Sequence, residues 1–246
     1  MIVTPIKTQK VVVGVKLNDV LDASLSRVEE NDILVVTSKI ISICEGTVIP
    51  IEKTTKNELV PTEADYYIPS QLNPYGFHIT IKNNTLIASA GIDESNGNGY
   101  FILWPKDPQA SANQIRAYLQ ARFHVKHIGV IVTDSHVLPL RWGTVGTAIS
   151  HSGFAALNSY IGKPDIFDRN LKLTNANVAE GLAAAAVVCM GEGNEQTPLA
   201  LIRDASFVQF QDREPSEEEL KKLAISKDED IFAPLLNAVK WEKEKR

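Results

Sequence analysis

The chain has 246 residues, of which 44% are hydrophobic, and this is enough to bury the core of a globular protein. Thirty acidic and 25 basic residues give a formal net charge of −5, which argues against nucleic acid or a membrane surface as a partner. No stretch approaches the roughly 20 apolar residues that span a bilayer, and the N-terminus MIVTPIKTQK has no long apolar segment. We therefore expect a cytoplasmic protein in which the thiols of Cys44 and Cys189 are buried and reduced.

The first half of the chain alternates short apolar elements with polar turns. LNDVLDASLSRV has the apolar spacing of one helix face and predicts a helix with Asn18 as its cap. Ile33–Val36 predicts a buried strand that ends in a polar turn, and residues 50–76 lack periodicity and predict irregular structure. Asn83 and Asn84 tolerate left-handed backbone angles, so HITIKNNTLIASAG predicts a hairpin.

The second half contains longer helices between strands. Asp107 precedes a proline and a helical pattern, which predicts a helix capped by Asp107. Ile128–Val132 predicts a core strand, a helix is expected from about Asn175 through VAEGLAAAAVVCM, and LALIRD predicts a further strand. Ser216, with glutamate three residues later, predicts a capping box. Strands and helices mix without a regular βαβ order or a domain boundary, so we expect one α+β domain over residues 1–246.

Three apolar elements each end in a polar segment that carries a carboxylate. Asp93 follows LIASAGI, Asp134 and Ser135 follow GVIVT, and Glu192 follows VVCMG. Mg²⁺ and Mn²⁺ prefer oxygen ligands, usually one or two carboxylates together with water and phosphate oxygens. The four residues therefore suit one or two divalent cations, although the segment AGIDESNGNGY could instead be a plain surface turn.

Other polar segments leave two interpretations open. The loop MGEGNEQTP could direct backbone N–H groups at phosphate oxygens, although it lacks a Walker pattern, or it could simply connect a helix to a strand. Arg141 could bind a carboxylate or phosphate, or it could be an ordinary surface arginine. His136 and His151 could be acid–base groups or hydrogen-bonded loop residues.

Six blocks in order resemble the coenzyme F-420-0 γ-glutamyl ligase family, which includes related folate γ-glutamyl ligases. The blocks are EENDILVVTSKIISICEG, GIDESN, GVIVTDS, RWGTVGTAI, IGKPDIFDRNLKLT and VAEGLAAAAVVCMGEGNEQTPLALIRD. The resemblance covers residues 1–205 and leaves 206–246 as a C-terminal helical extension. It implies an enzyme that uses GTP, with ATP as the alternative, to join L-glutamate to a small-molecule carboxylate.

The resemblance also implies an assembly and a set of site residues. The expected fold is α+β, with mixed and antiparallel sheets, two interlocked lobes and an intertwined homodimer. Two Mg²⁺ or Mn²⁺ ions are expected, often with K⁺, the first on Asp93 and Asp134 and the second on Ser135 and Glu192. Arg141 is the expected catalytic anion-binding residue. The nucleotide is expected to contact Ser38, Lys39, Asn96, Met190, Gly191, Gly193, Asn194, Glu195, Gln196 and Thr197.

Two of the departures from the family pattern replace a charged side chain with an apolar one. Ile43 stands where the family usually has a lysine, and Leu138 stands where it usually has an arginine. These changes favour an alternative hypothesis, a non-catalytic paralogue that binds nucleotide or metal, and a purely structural role is a third. The acceptor could be a deazaflavin, a folate or another small carboxylate.

Overall fold

A five-stranded sheet forms the centre of the computed structural model, which describes residues 1–243. Strand β2 (Ile33–Thr37) pairs in parallel with β8 (Gly129–Val137), and the other neighbouring strands pair antiparallel. The sheet is therefore mixed, as predicted. Across the sheet the strands are β1 (Ile2–Ile6), β12 (Leu199–Arg203), β2 (Ile33–Thr37), β8 (Gly129–Val137) and β9 (Thr144–Ser152).

The remaining strands form three small antiparallel sheets. In the hairpin formed by β5 (Ile79–Lys82) and β6 (Thr85–Ala88), Asn83 and Asn84 have φ angles of 47° and 61°, which confirms the predicted turn. The small sheets consist of β3 (Val48–Pro50) with β7 (Tyr100–Ile102), β4 (Tyr66–Ile68) with β5 (Ile79–Lys82) and β6 (Thr85–Ala88), and β10 (Leu157–Ser159) with β11 (Asn175–Asn177).

Helices cover both faces of the main sheet. Alternate residues of β2 point to opposite sides of the sheet. Leu34 and Val36 pack in one apolar cluster with the helices over residues 17–24, 38–45 and 108–123. Ile33 and Val35 pack in another cluster with the helix over residues 178–190. This two-sided burial explains why the strand reads as a continuous apolar run. The helices are α1 (Leu17–Ser24), α2 (Ser38–Glu45), α3 (Lys56–Glu63), α4 (Pro108–Phe123), α5 (Val178–Met190), α6 (Glu217–Leu223) and α7 (Ala233–Leu236).

The predicted cap of α4 is confirmed, because Asp107 Oδ1 accepts a hydrogen bond from the Ala110 amide at 2.8 Å. The capping box of Ser216 is also confirmed. The prediction for α1 was wrong in its bounds: the helix begins at Leu17 after Lys16, so Asn18 lies inside it, and it ends at Ser24.

Two segments that were predicted to be irregular are ordered elements. The chain after β2 continues directly into α2, because Ile40 and Ile41 gain burial against the sheet that a polar turn would not provide. Residues 50–76 contain α3, which begins at a capping box between Thr55 and Glu58 and carries a proline that weakened its sequence signal. Tertiary packing therefore outweighed local propensity in both segments.

Two further predictions need correction, and one reaches the edge of the structure. The polar residues after Val132 are strand, not loop, because β8 continues to Val137 and pairs with β9. Cys44 is partly buried but Cys189 is exposed, since its position on α5 faces away from the sheet. Of the predicted C-terminal extension, residues 244–246 lie outside the described residues, and α6 and α7 confirm helices in the rest. Within residues 1–243, no helix combines the length and apolarity needed to cross a membrane.

We expect His151 to make a contribution to the stability of the fold that decreases in mild acid. Burial of this side chain, which is 2% exposed, lowers its pKa from 6.5 to about 4, despite the opposing charge of Glu219. Between these values the unfolded chain binds a proton that the folded chain excludes, so the free energy of unfolding falls as pH decreases from 6.5 to 4. The loss should approach about 3 kcal/mol.

Urea unfolding at pH 7 and pH 4.5 measures this effect. His151→Gln removes the titrating group, so from pH 7 to pH 4.5 its free energy of unfolding should fall less, or rise more, than that of the wild-type protein. Equal changes in both proteins would show that other groups are responsible.

Candidate active site

A cavity of about 640 Å³ lies where the parallel pairing of β2 and β8 ends, at Thr37 and Thr133. Polar groups at the carboxyl ends of parallel strands commonly form binding sites in this position. Every predicted metal or nucleotide residue lines this cavity: Ser38, Lys39, Asp93, Asn96, Asp134, Ser135, Met190, Gly191, Glu192, Gly193, Asn194, Glu195, Gln196 and Thr197.

The Asp93 carboxylate forms an ion pair with Lys39. Its Oδ2 lies 2.6 Å from the Lys39 ammonium, and its Oδ1 accepts hydrogen bonds from the Glu94 and Ser95 amides at 2.6 and 2.8 Å. Burial acts to raise the pKa of Asp93, but the hydrogen bond and charge of Lys39 and the hydrogen bonds from Ser95 bring it below its ordinary value. Asp93 is therefore an ionised carboxylate directed at a cation.

Asp134 lies just after an irregularity in the sheet. The register between β8 and β9 shifts by one residue between Val132 and Thr133, and such bulges redirect the side chains that follow. Oδ1 accepts from the Ser135 amide at 2.8 Å and Oδ2 accepts from the Trp104 indole at 2.5 Å. Burial raises the pKa of Asp134 to about 6, against the lowering effect of these two donors.

Glu192 connects the end of α5 to the hairpin of β8 and β9. Its two carboxylate oxygens lie 3.3 Å from the hydroxyl oxygens of Ser135 and Thr144, respectively. Ser135 and Glu192, which were predicted to share the second cation, are therefore neighbours. Thr144 was not predicted, and nothing in its local pattern separates it from other strand threonines.

The loop after α5 folds around the carboxylate of its own residue Glu195. The Glu195 carboxylate accepts a hydrogen bond from the Gly193 amide at 2.8 Å, and a side chain at Gly191 would place its Cβ 2.6 Å from the Glu195 carboxyl carbon. Asn96 donates to the Gly193 carbonyl at 3.1 Å, which connects this loop to the segment that carries Asp93. A carboxylate on a backbone N–H shows that the loop accommodates an oxyanion.

The cavity lining is predominantly acidic, so phosphate binding there requires additional cations. Four acidic residues (Asp93, Asp134, Glu192 and Glu195) and two lysines (Lys10 and Lys39) line it. Within residues 1–243, no group of three or more His, Cys, Asp and Glu side chains could by itself hold a metal ion. The donors nevertheless fit hard divalent cations, since Asp93 binds an ammonium as a substitute and phosphate oxygens commonly complete Mg²⁺ coordination.

Sequence reasoning also missed residues 8–12 and Lys56. Residues 8–12, just after β1, form one wall of the cavity, and only their tertiary position reveals this. Lys56, at the start of α3, lies close enough to be attracted by Asp93, Glu94 and Asp134, although burial dominates and lowers the pKa of its ammonium. Lys56 falls in the segment that was predicted to be irregular.

Three other candidates lie outside the cavity lining. Arg141 is exposed in the turn between β8 and β9, where it donates to the Leu140 carbonyl, and His136 and the core residue His151 are also absent from the lining. Ile43 does line the cavity, so the departure from the family lysine affects its wall directly, whereas Leu138 lies exposed in the hairpin turn.

Fold and cavity together define an α+β protein with a carboxylate-lined cavity at the end of its central strands, and the comparisons with known proteins name its family. The family model described as F420-0:Gamma-glutamyl ligase matches residues 5–204. The chain therefore belongs to this family, which confirms the resemblance and identifies the chain as an enzyme.

Curated relatives agree with the family match. The chain is 34% identical to the Coenzyme F420:L-glutamate ligase of Methanococcus maripaludis, over 83% of this chain and 86% of that protein. It is 36% identical to the protein of the same name from Methanocaldococcus jannaschii, over 73% and 78% of the two chains. The protein of that name from Archaeoglobus fulgidus is 32% identical over 86% of this chain and 88% of its own length.

Proposed function

We propose that this protein is a GTP-dependent γ-glutamyl ligase that joins L-glutamate to the carboxylate of a coenzyme F420-type acceptor, with Mg²⁺ or Mn²⁺ at two sites. The observation that carries the proposal is the convergence of Asp93, Asp134 and Glu192, from three distant parts of the chain, in one cavity beside a glycine-containing loop. Family membership supports the reaction class. The acceptor follows from the names of the relatives.

The proposed reaction has two steps. An acceptor carboxylate oxygen attacks the γ-phosphorus of the nucleotide, the bond to the β-phosphate oxygen breaks, and nucleoside diphosphate leaves. The glutamate amine then attacks the acyl phosphate carbon, inorganic phosphate leaves, and the amine loses a proton as the amide forms. Activation is needed because a free carboxylate oxygen is a poor leaving group.

The residues of this chain would mainly position the reactants and balance charge. Asp93 and Asp134 would hold the first divalent cation, and Ser135 and Glu192 the second. These cations would neutralise phosphate charge that four lining carboxylates otherwise repel. Once a divalent cation replaces the Lys39 ammonium on Asp93, Lys39 would be free to contact phosphate. The Gly193 amide, in the loop after α5, would then donate to a phosphate oxygen instead of the Glu195 carboxylate.

Ile43 favours a second candidate function, a paralogue that binds nucleotide without turnover. Its side chain presents an apolar surface to the cavity at the position where the family usually has an ammonium. Calorimetry would then show tight nucleotide binding, with no product from any acceptor.

An assay for nucleoside diphosphate release separates the two functions. GTP or ATP is supplied with Mg²⁺ or Mn²⁺, with and without K⁺, because the resemblance includes a monovalent cation. L-Glutamate is added with a deazaflavin, a folate or another small carboxylate. Release that requires both glutamate and an acceptor supports the ligase, and Asp93→Asn serves as the inactive control. No release with any combination, together with tight nucleotide binding, would favour the paralogue.

We also propose that the protein forms the intertwined homodimer, with interlocked lobes, that the resemblance implies. Large apolar side chains are almost fully exposed in two regions, the turn between β8 and β9 and the segment between β10 and β11. Their exposed fractions are 97% for Leu140, 92% for Trp142, 90% for Ile166 and 88% for Leu173. Burial of apolar patches of this kind is a common basis of dimer formation.

The double variant Leu140→Ser and Trp142→Ser should shift the protein from dimer to monomer in analytical ultracentrifugation, because it removes the apolar tip of the hairpin. Ile231→Ser is the matched control, since Ile231 is 87% exposed but lies just before α7. A wild-type monomer, or a dimer that the double variant leaves unchanged, would contradict the proposed interface.

A further inference from the structure

Trp104 is a buried aromatic residue that contacts the site without lining the cavity. It follows β7 by two residues and is 3% exposed. Its indole Nε1 donates a hydrogen bond to Asp134 Oδ2 at 2.5 Å. The Ser135 amide anchors the other oxygen, so each carboxylate oxygen has one fixed donor and a free lone pair.

The same indole packs against the segment that carries Asp93. Gly91, two residues before Asp93, has a φ of +69°, and a Cβ built there would lie 2.1 Å from the indole Nε1. Any side chain at position 91 would therefore collide with the ring. One indole thus contacts both the segment that carries Asp93 and the Asp134 carboxylate.

The Lys82 ammonium lies near the ring of Trp104. The Lys82 ammonium lies 5.7 Å from the centroid of the Trp104 ring and 2.7 Å from Glu63 Oε2, and the Lys82 side chain is almost buried. A cation near the ring face draws electron density from the indole and makes its N–H a stronger donor. The chain Glu63, Lys82, Trp104 and Asp134 thus runs from α3 to the cavity.

We propose that Trp104 is a positioning residue that orients the Asp134 carboxylate and fixes its separation from Asp93, so that cation affinity depends on an indole that the cation does not touch. The inference rests on the proposed function and adds a determinant of its cation site. Partners that orient a metal ligand typically contribute a factor of 10 to 100 in metal affinity.

Titration of the full-length protein with Mn²⁺, with and without inorganic phosphate, followed by electron paramagnetic resonance of the free ion, tests the inference without turnover. Trp104→Phe keeps an aromatic ring and removes the N–H, and we expect it to weaken Mn²⁺ binding 10- to 100-fold. Trp241→Phe is the matched control. Its indole also donates a hydrogen bond in a partly buried setting, at 2.6 Å to the Leu236 carbonyl, and we expect unchanged Mn²⁺ affinity.

An isosteric replacement guards against a variant that fails to fold. Benzothienylalanine at position 104 replaces the indole N–H with sulfur and keeps the size of the ring, so it should lose the same 10- to 100-fold in affinity. Affinity within twofold of wild type, for a folded Trp104→Phe or for this replacement, would overturn the inference. If the wild-type protein then still bound Mn²⁺ and released nucleoside diphosphate, the proposed function would stand. A wild-type protein that binds no Mn²⁺ would overturn both.

Discussion

Asp134→Asn is expected to reduce turnover about a thousandfold and to remove the pH dependence of stability that Asp134 causes. The loss of turnover corresponds to about 4 kcal/mol, since the variant removes a carboxylate that would bind a cation at the transferred phosphoryl group. The pH dependence arises because burial raises the pKa of Asp134 from 3.8 to about 6. An ionised carboxylate at pH 7 therefore destabilises the fold by on the order of 1–3 kcal/mol.

The sign of the pH dependence provides a specific test. The raised pKa means that the folded wild-type protein binds a proton more tightly than the unfolded chain, so this contribution to stability is present below pH 3.8 and is lost as pH rises through 6. Urea unfolding should show that the free energy of unfolding of the wild type rises relative to that of Asp134→Asn as the pH is lowered from 7 to 4.5. Asp19→Asn, at an exposed position on α1, should change neither turnover nor stability appreciably. Full turnover in Asp134→Asn would remove the basis of the cation site.

Phe154→Ala should lower the free energy of unfolding by about 3–5 kcal/mol, the range for removing a large aromatic side chain from a core. Phe154 is fully buried and belongs to the cluster between the sheet and α5 that includes Ile33 and Leu182. Its ring also packs edge-on against His151, with centroids 5.3 Å apart. The variant leaves a cavity that the surrounding strands can close only in part.

Chemical denaturation at pH 7 measures this loss, with Phe207→Ala as the control because Phe207 is half-exposed. Phe154 does not line the active-site cavity, so turnover per folded molecule should be retained under conditions where the variant stays folded. A loss below about 1 kcal/mol would show that the core repacks around the gap.

Most predictions that depended on near neighbours were confirmed, although the Asn18 cap was wrong, and predictions that ignored packing failed. The Asn83–Asn84 turn and the Asp107 cap are determined by contacts within four residues. α2 and α3 were missed because their helical signals are weak and their apolar faces gain stability only against distant strands. The tail of β8 was missed for the same reason, since polar residues there pair with β9 across a turn.

The sequence by itself determined which chemical groups the site could contain, and its ordered blocks identified the family. Only the tertiary structure decided which groups meet. Lys39 lies on Asp93 and Asn96 reaches Gly193 across 97 positions of the chain, while Arg141, selected on the same grounds, stays exposed. Trp104 and residues 8–12 reach the site through contacts that no local pattern encodes. The physical reason is that caps and turns depend on adjacent residues, whereas the site depends on how the sheet and helices pack.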